Sequence, residues 1–115
     1  MAATGSCHCG AVRFTLDVLP TQAMTCNCSI CRRKGYVLGF CAPDQFDLLT
    51  PRDAMSVYTF NRHVIRHQFC KTCGCAAFGE GVGPDGRPMV AVNLRCVDGV
   101  DLAAIATQEF DGAAL

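Results

Sequence analysis

Three short stretches hold most of the sulfur in this chain: CHCG at 7–10, CNCSIC at 26–31 and FCKTCGC at 69–75. Ten cysteines in 115 residues is a density that a folded chain answers with disulfides or with metal. The compartment decides between them. No basic segment followed by an apolar run opens the sequence, so a secretory leader is not expected. No apolar run approaches the roughly 18–20 residues of a membrane span, so no membrane partner is expected either. The expected location is cytoplasmic, where thiols stay reduced. Clustered cysteines then read as metal ligands.

Spacing sharpens that reading. Cys7-x-Cys9, Cys26-x-Cys28-x-x-Cys31 and Cys70-x-x-Cys73 are knuckles, in which a tight turn lets neighbouring thiolates meet one ion. Soft thiolates suit Zn²⁺ or an iron–sulfur cluster rather than hard cations. Zinc takes four ligands at tetrahedral angles, with Zn–S about 2.3 Å. The seven cysteines divide as four plus three. Cys7, Cys9, Cys70 and Cys73 would close a structural site that ties the N-terminal segment to the middle of the chain. Cys26, Cys28 and Cys31 would form a second site with one open position, which a catalytic zinc requires. Water, or the sulfur of a thiol substrate, would be its fourth ligand. The competing arrangement is a single zinc ribbon from Cys28/Cys31 and Cys70/Cys73. Its 38-residue gap between Cys31 and Cys70 is long against the usual ~15–20, and it leaves residues 7–9 unexplained.

The rest of the sequence reads as one domain over 1–115, mainly β with little helix. Half the residues are hydrophobic, which argues against disorder, and a net charge of zero argues against nucleic-acid binding. In 11–18, Val12, Phe14, Leu16 and Val18 alternate with polar residues, the pattern of a half-buried strand. Further strands are expected at 36–42, 46–49, 56–60, 64–69, 75–79, 89–96 and 105–110. A helical turn is expected at 50–55, with Thr50 as N-cap and Pro51 at the first helical position.

The other candidate residues have bland readings beside functional ones. Arg32, directly after the second knuckle, suits a substrate carboxylate, since arginine pairs carboxylates through a bidentate fork. With Arg33 and Lys34 it also fits a solvated turn. Asn93 and Arg95 fall on one face of a strand and would line a pocket or face solvent. Cys75 reads as packing or as a spare ligand. Cys41 and Cys96 read as buried apolar residues. His8, His63 and His67 read as surface or half-exposed groups, with His67 able to approach the third knuckle. Gly10, Gly35 and Gly74 read as turn residues with positive φ.

GSCHCGAVRF at 5–14, CNCSICRRKG at 26–35 and FCKTCG at 69–74 together resemble the signatures of the glutathione-dependent formaldehyde-activating enzymes, the family that includes centromere protein V. VNLRCVDGVDL at 92–102 is similar to its shorter members. The resemblance implies a β-tent of small antiparallel sheets pinned by zinc. It implies a structural zinc on Cys7, Cys9, Cys70 and Cys73, and a second zinc on Cys26, Cys28 and Cys31. The implied activity is that of a carbon–sulfur lyase, which adds the glutathione thiol to formaldehyde to give S-hydroxymethylglutathione. The small-molecule partners would be a thiol and an aldehyde. The alternative expectation is a non-catalytic zinc module that binds a protein or peptide partner.

Overall fold

The computed structural model describes residues 2–60 and 62–114. Ten strands and one short α-helix carry the chain: β1 (Ala3–Ser6), β2 (Arg13–Leu16), β3 (Gln22–Cys26), α1 (Ser29–Lys34), β4 (Leu38–Cys41), β5 (Phe46–Leu48), β6 (Met55–Tyr58), β7 (Arg66–Cys70), β8 (Phe78–Val82), β9 (Pro88–Asn93) and β10 (Ala106–Phe110). The protein is mainly β, as the short alternating runs indicate. No helix among the described residues is long and apolar enough to cross a membrane.

A small sheet has the order β1-β2-β5, with both pairs antiparallel. A larger one runs β10-β3-β4-β9-β8-β7-β6. Every pair in it is antiparallel except the outermost, where β10 runs parallel to β3. Between the sheets lies an aromatic knot. Phe14 of β2 stacks on Phe46 of β5 at 5.2 Å, and Phe46 meets Phe78 of β8 at 4.6 Å between ring centroids. Such pairs add about 0.5–1.5 kcal/mol each beyond the apolar area they bury. Val12, Leu16, Val92 and Leu94 pack into the same core.

Gly5 shows how closely β1 approaches that core. A Cβ there would clash with the edge of the Phe14 ring and lie 2.7 Å from the Cys96 carbonyl oxygen. Backbone on one side and a core ring on the other leave no room to adjust, so Gly5→Ala is expected to destabilise the fold by about 1–3 kcal/mol, the cost of overpacking. A lowered midpoint in urea at unchanged slope would show it; an unchanged midpoint would contradict it.

Several expected boundaries shift. The strand expected at 11–18 forms as β2 and ends at Leu16, which leaves Val18 56% exposed. The strand expected at 75–79 forms later, at Phe78–Val82, because the residues after Cys73 complete the knuckle. Thr50 does not cap a helix. Its Oγ1 accepts from the Arg13 N–H at 3.1 Å, a cross-strand tie, and the following 3₁₀ turn spans Arg52–Ala54 with Pro51 at its N-cap. β9 ends at Asn93, and Leu94–Cys96 form a 3₁₀ turn. Asn93 and Arg95 therefore do not share a strand face. Asn93 is buried; its Nδ2 donates to the Ala76 carbonyl at 3.0 Å and its Oδ1 accepts from the Arg95 N–H. Arg95 is exposed, and its Nε donates to the Gly35 carbonyl at 2.9 Å, just past the end of α1.

Candidate metal centres

The β1–β2 connection carries Cys7 and Cys9. Cys70 is the last residue of β7, and Cys73 lies in the turn that follows. The two segments belong to different sheets, and their four Sγ atoms lie within 4.8 Å of one another. Cys7 and Cys9 sulfurs are 3.7 Å apart, and those of Cys9 and Cys70 are 3.6 Å apart. A tetrahedron with Zn–S bonds of about 2.3 Å has edges of about 3.8 Å. The spacing therefore fits sulfurs gathered around one ion. It is far from the ~2.05 Å of a disulfide, and all ten cysteines are free thiols.

The backbone supports negative sulfur here. The N–H of Val12 points at Cys7 Sγ at 3.3 Å, and those of Thr72 and Cys73 point at Cys70 Sγ at 3.3 and 3.4 Å. The N–H groups of Cys75 and then Cys9 pull the Cys73 thiol down to about 5. The N–H of Cys73, opposed by burial and helped by that of Thr72, lowers Cys70. Cys9 goes the other way. Against the N–H of Ala11, which lowers it, burial and the sulfurs of Cys70, Cys7 and Cys73 hold it at about 11. Four crowded thiols thus resist ionising together, and a divalent cation removes that conflict. Gly10 and Gly74 both have positive φ, 84° and 81°, which turns the chain back after each knuckle.

The second group forms around α1. Cys26 ends β3, Cys28 is the helix N-cap, and Cys31 lies inside the helix as its one buried residue. The sequence reading did not anticipate this helix. It has six residues and no side-chain cap bond, and it ends at Gly35, whose φ of 70° and N–H to the Cys31 carbonyl close it. The three Sγ atoms again lie within 4.8 Å of one another. Burial opposes ionisation of Cys28, but the N–H groups of Cys31 and Ile30 and the neighbouring sulfurs bring it down. Burial, and then Cys28, push Cys31 up. No histidine joins either group among the described residues. The two groups are separate, so Cys70 and Cys73 side with Cys7 and Cys9, and the single-ribbon arrangement is not formed.

Tyr36, Ala76, Ile30, Leu38 and Phe69 pack around this second group. Burial, and then the charge of Cys31, raise the Tyr36 hydroxyl to about 12, so it stays protonated. The C-terminal segment covers the Cys26 side. β10 pairs Phe110 with Cys26, and the Asn27 N–H donates to the Phe110 carbonyl at 3.3 Å. Asn27 Nδ2 donates to Asp111 Oδ1 at 2.9 Å, and its Oδ1 accepts from the Ala113 N–H at 2.9 Å.

The glutathione-dependent formaldehyde-activating enzyme family has a sequence model that matches residues 2–110 of this chain. The chain belongs to that family. A crystal structure of a Rhodobacter sphaeroides protein, a structural-genomics target, is similar to it in fold, with a TM-score of 0.79 and 25% identity over 93% of this chain and 99% of that one. Seven of the ten cysteines of this member form two groups that could each hold a metal ion, as the family resemblance implies.

The remaining candidates belong to neither sulfur group. Arg32 is exposed on α1. Cys75 and Cys96 are half-buried against the main core near the first group, and Cys41 packs half-buried at the far end of β4. His8 and His63 are exposed. His67 stacks on Tyr36 and on Phe60, at 6.3 and 5.6 Å, and its Nε2 is buried with no partner among the described residues. Gly112 is the contact that the sequence could not reveal. A Cβ there would lie 2.5 Å from Cys26 Sγ and 3.2 Å from Cys28 Cβ. Gly112→Ala is therefore expected to push Cys26 out of place and weaken metal binding at the second group by tenfold or more, while the first stays filled. Competition with a chromogenic chelator reads both; equal retention in wild type and variant would contradict it.

Proposed function

We propose that this protein is a zinc-dependent carbon–sulfur lyase that joins a small thiol of the glutathione type to formaldehyde or another small aldehyde. Cys7, Cys9, Cys70 and Cys73 are the structural zinc ligands in this reading, and Cys26, Cys28 and Cys31 hold the working ion. The observation that carries it is the difference between the two groups: one gathers four sulfurs, the other three. A zinc ion held by three thiolates supplies, when bound, a free position at which a thiol is kept deprotonated near neutral pH.

The chain's own groups do the rest. The N–H groups of Ile30 and Cys31 stabilise negative charge on Cys28. Tyr36 and Phe69 limit water on the inner side, and Tyr36 keeps its proton. In the overall reaction the thiol sulfur forms a bond to the aldehyde carbon. The carbonyl π bond breaks, and its oxygen takes up one proton, equal to the one lost from sulfur. The product is a hydroxymethyl thioether, and the reverse reaction releases the aldehyde.

The test follows exchange between free glutathione and its formaldehyde adduct by NMR, with zinc-loaded protein. The expected result is acceleration over the spontaneous exchange, lost in the Cys28→Ser variant. Spontaneous rates with fully loaded protein would refute glutathione as its thiol; spontaneous rates with every thiol offered would refute the enzyme and favour the non-catalytic module.

A further inference from the structure

Beside the second group lies an open cleft of about 700 Å³. Its walls are Ile30, Arg33 and Lys34 of α1, Tyr58 of β6, Phe60 and Phe69 of β7. Two of them, Ile30 and Phe69, also pack against the Cys31–Tyr36–Ala76 cluster, so the cleft and the sulfurs share a wall.

Two chemistries meet in it. The first is aromatic. Tyr58 and Phe60 stack at 5.9 Å, Phe69 stands on the same cleft, and Tyr58 is 51% exposed. Rings left open in this way gain from an apolar guest. The second is cationic. Lys34 holds its ammonium 5.5 Å above the centre of the Phe69 ring. Arg33 spends one N–H on the Ser29 carbonyl at 2.9 Å and keeps the rest of its fork. Among the described residues no acidic side chain lines the cleft.

Formaldehyde has no side chain to place there, and glutathione has no apolar surface to set against three rings. We propose that the cleft selects a thiol substrate with an apolar, aromatic body and one anionic group, its sulfur directed at Cys26, Cys28 and Cys31 and its anion at Arg33 and Lys34. This rests on the thiol-handling role assigned above to the second group and names the kind of thiol it takes. Arg33 and Lys34 are thereby specificity-determining residues, in place of Arg32, which does not line the cleft.

The experiment is titration calorimetry of zinc-loaded protein with four thiols: 4-(mercaptomethyl)benzoate, benzyl mercaptan (ring without anion), mercaptoacetate (anion without ring) and glutathione. The Co²⁺-substituted protein, followed by its thiolate charge-transfer band, reports whether the sulfur reaches the metal. The first thiol is expected to bind about tenfold or more tightly than each of the others. The Arg33→Gln/Lys34→Gln double variant, changed only at exposed positions, should bring it to the level of benzyl mercaptan. Phe60→Ala should bring it towards mercaptoacetate. Equal affinities for all four, or glutathione tightest and unaffected by the double variant, would overturn the proposal while leaving thiol handling intact. Absence of any thiol-induced band would overturn the thiol-handling role itself, and this selectivity with it.

Discussion

Cys7→Ser is expected to abolish the cooperative thermal transition. Cys7 is 3% exposed and anchors the β1–β2 turn, where the Val12 N–H already points at its sulfur. Serine keeps an acceptor for that N–H but is not a soft donor, so the variant isolates the loss of a metal ligand. On the proposed assignment the fold leans on that ligand, because the four-sulfur group joins segments of the two sheets. The aromatic knot of Phe14, Phe46 and Phe78 is one junction, and the four-sulfur group is another. Structural zinc contributes about 10–16 kcal/mol in zinc-finger peptides, which is as large as the ~5–15 kcal/mol net stability of a whole domain. If the four-sulfur group is such a site, its loss is expected to unfold a sheet pair this small. Calorimetry should show no unfolding peak for the variant; a normal peak near the wild-type temperature would contradict the structural assignment.

Cys28→Ser should do the opposite, with the fold kept and the second metal gone. Cys28 is the N-cap of α1, and its sulfur makes no cap bond that the substitution could remove. Serine is among the best N-cap residues, so the helix survives the change. What is lost is one of three sulfurs, with no fourth cysteine in reach among the described residues. The expected outcome is a melting temperature within a few degrees of wild type, metal content lowered by one ion per chain, and adduct exchange at the spontaneous rate. Unchanged exchange would exclude the second group as the working centre.

How much of this is legible in the sequence depends on how local the signal is. Val12, Phe14 and Leu16 alternate with polar neighbours, and β2 forms where they predict. The knuckles are legible because two or three ligands lie within one turn, and their chemistry allows few arrangements. β1 and β3 are not legible. ATGS carries no large apolar residue, and QAMTC buries only Ala23. Both exist because a neighbouring strand pairs with them. α1 hides for a related reason: six residues with one buried position give no helical periodicity. The parallel β10–β3 pair and the closeness of Gly112 to Cys26 join residues 84–86 positions apart, and nothing local announces them. The alternation of 89–96 does not hold past Asn93, where the chain turns into 3₁₀ geometry, so Asn93 and Arg95 do not share a strand face. Tyr36, Phe60 and Phe69, which shape the surroundings of the second group, look in the sequence like any other strand aromatics.

The central claim is that two separate sulfur sites exist in one chain, one closed and one open. The direct measurement is zinc per chain by elemental analysis on anaerobically purified, fully reduced protein, before and after a mild chelator. The account predicts two zinc ions, of which the chelator removes one while the protein stays folded. A folded, reduced protein that holds a single ion, or that surrenders both together, would contradict it.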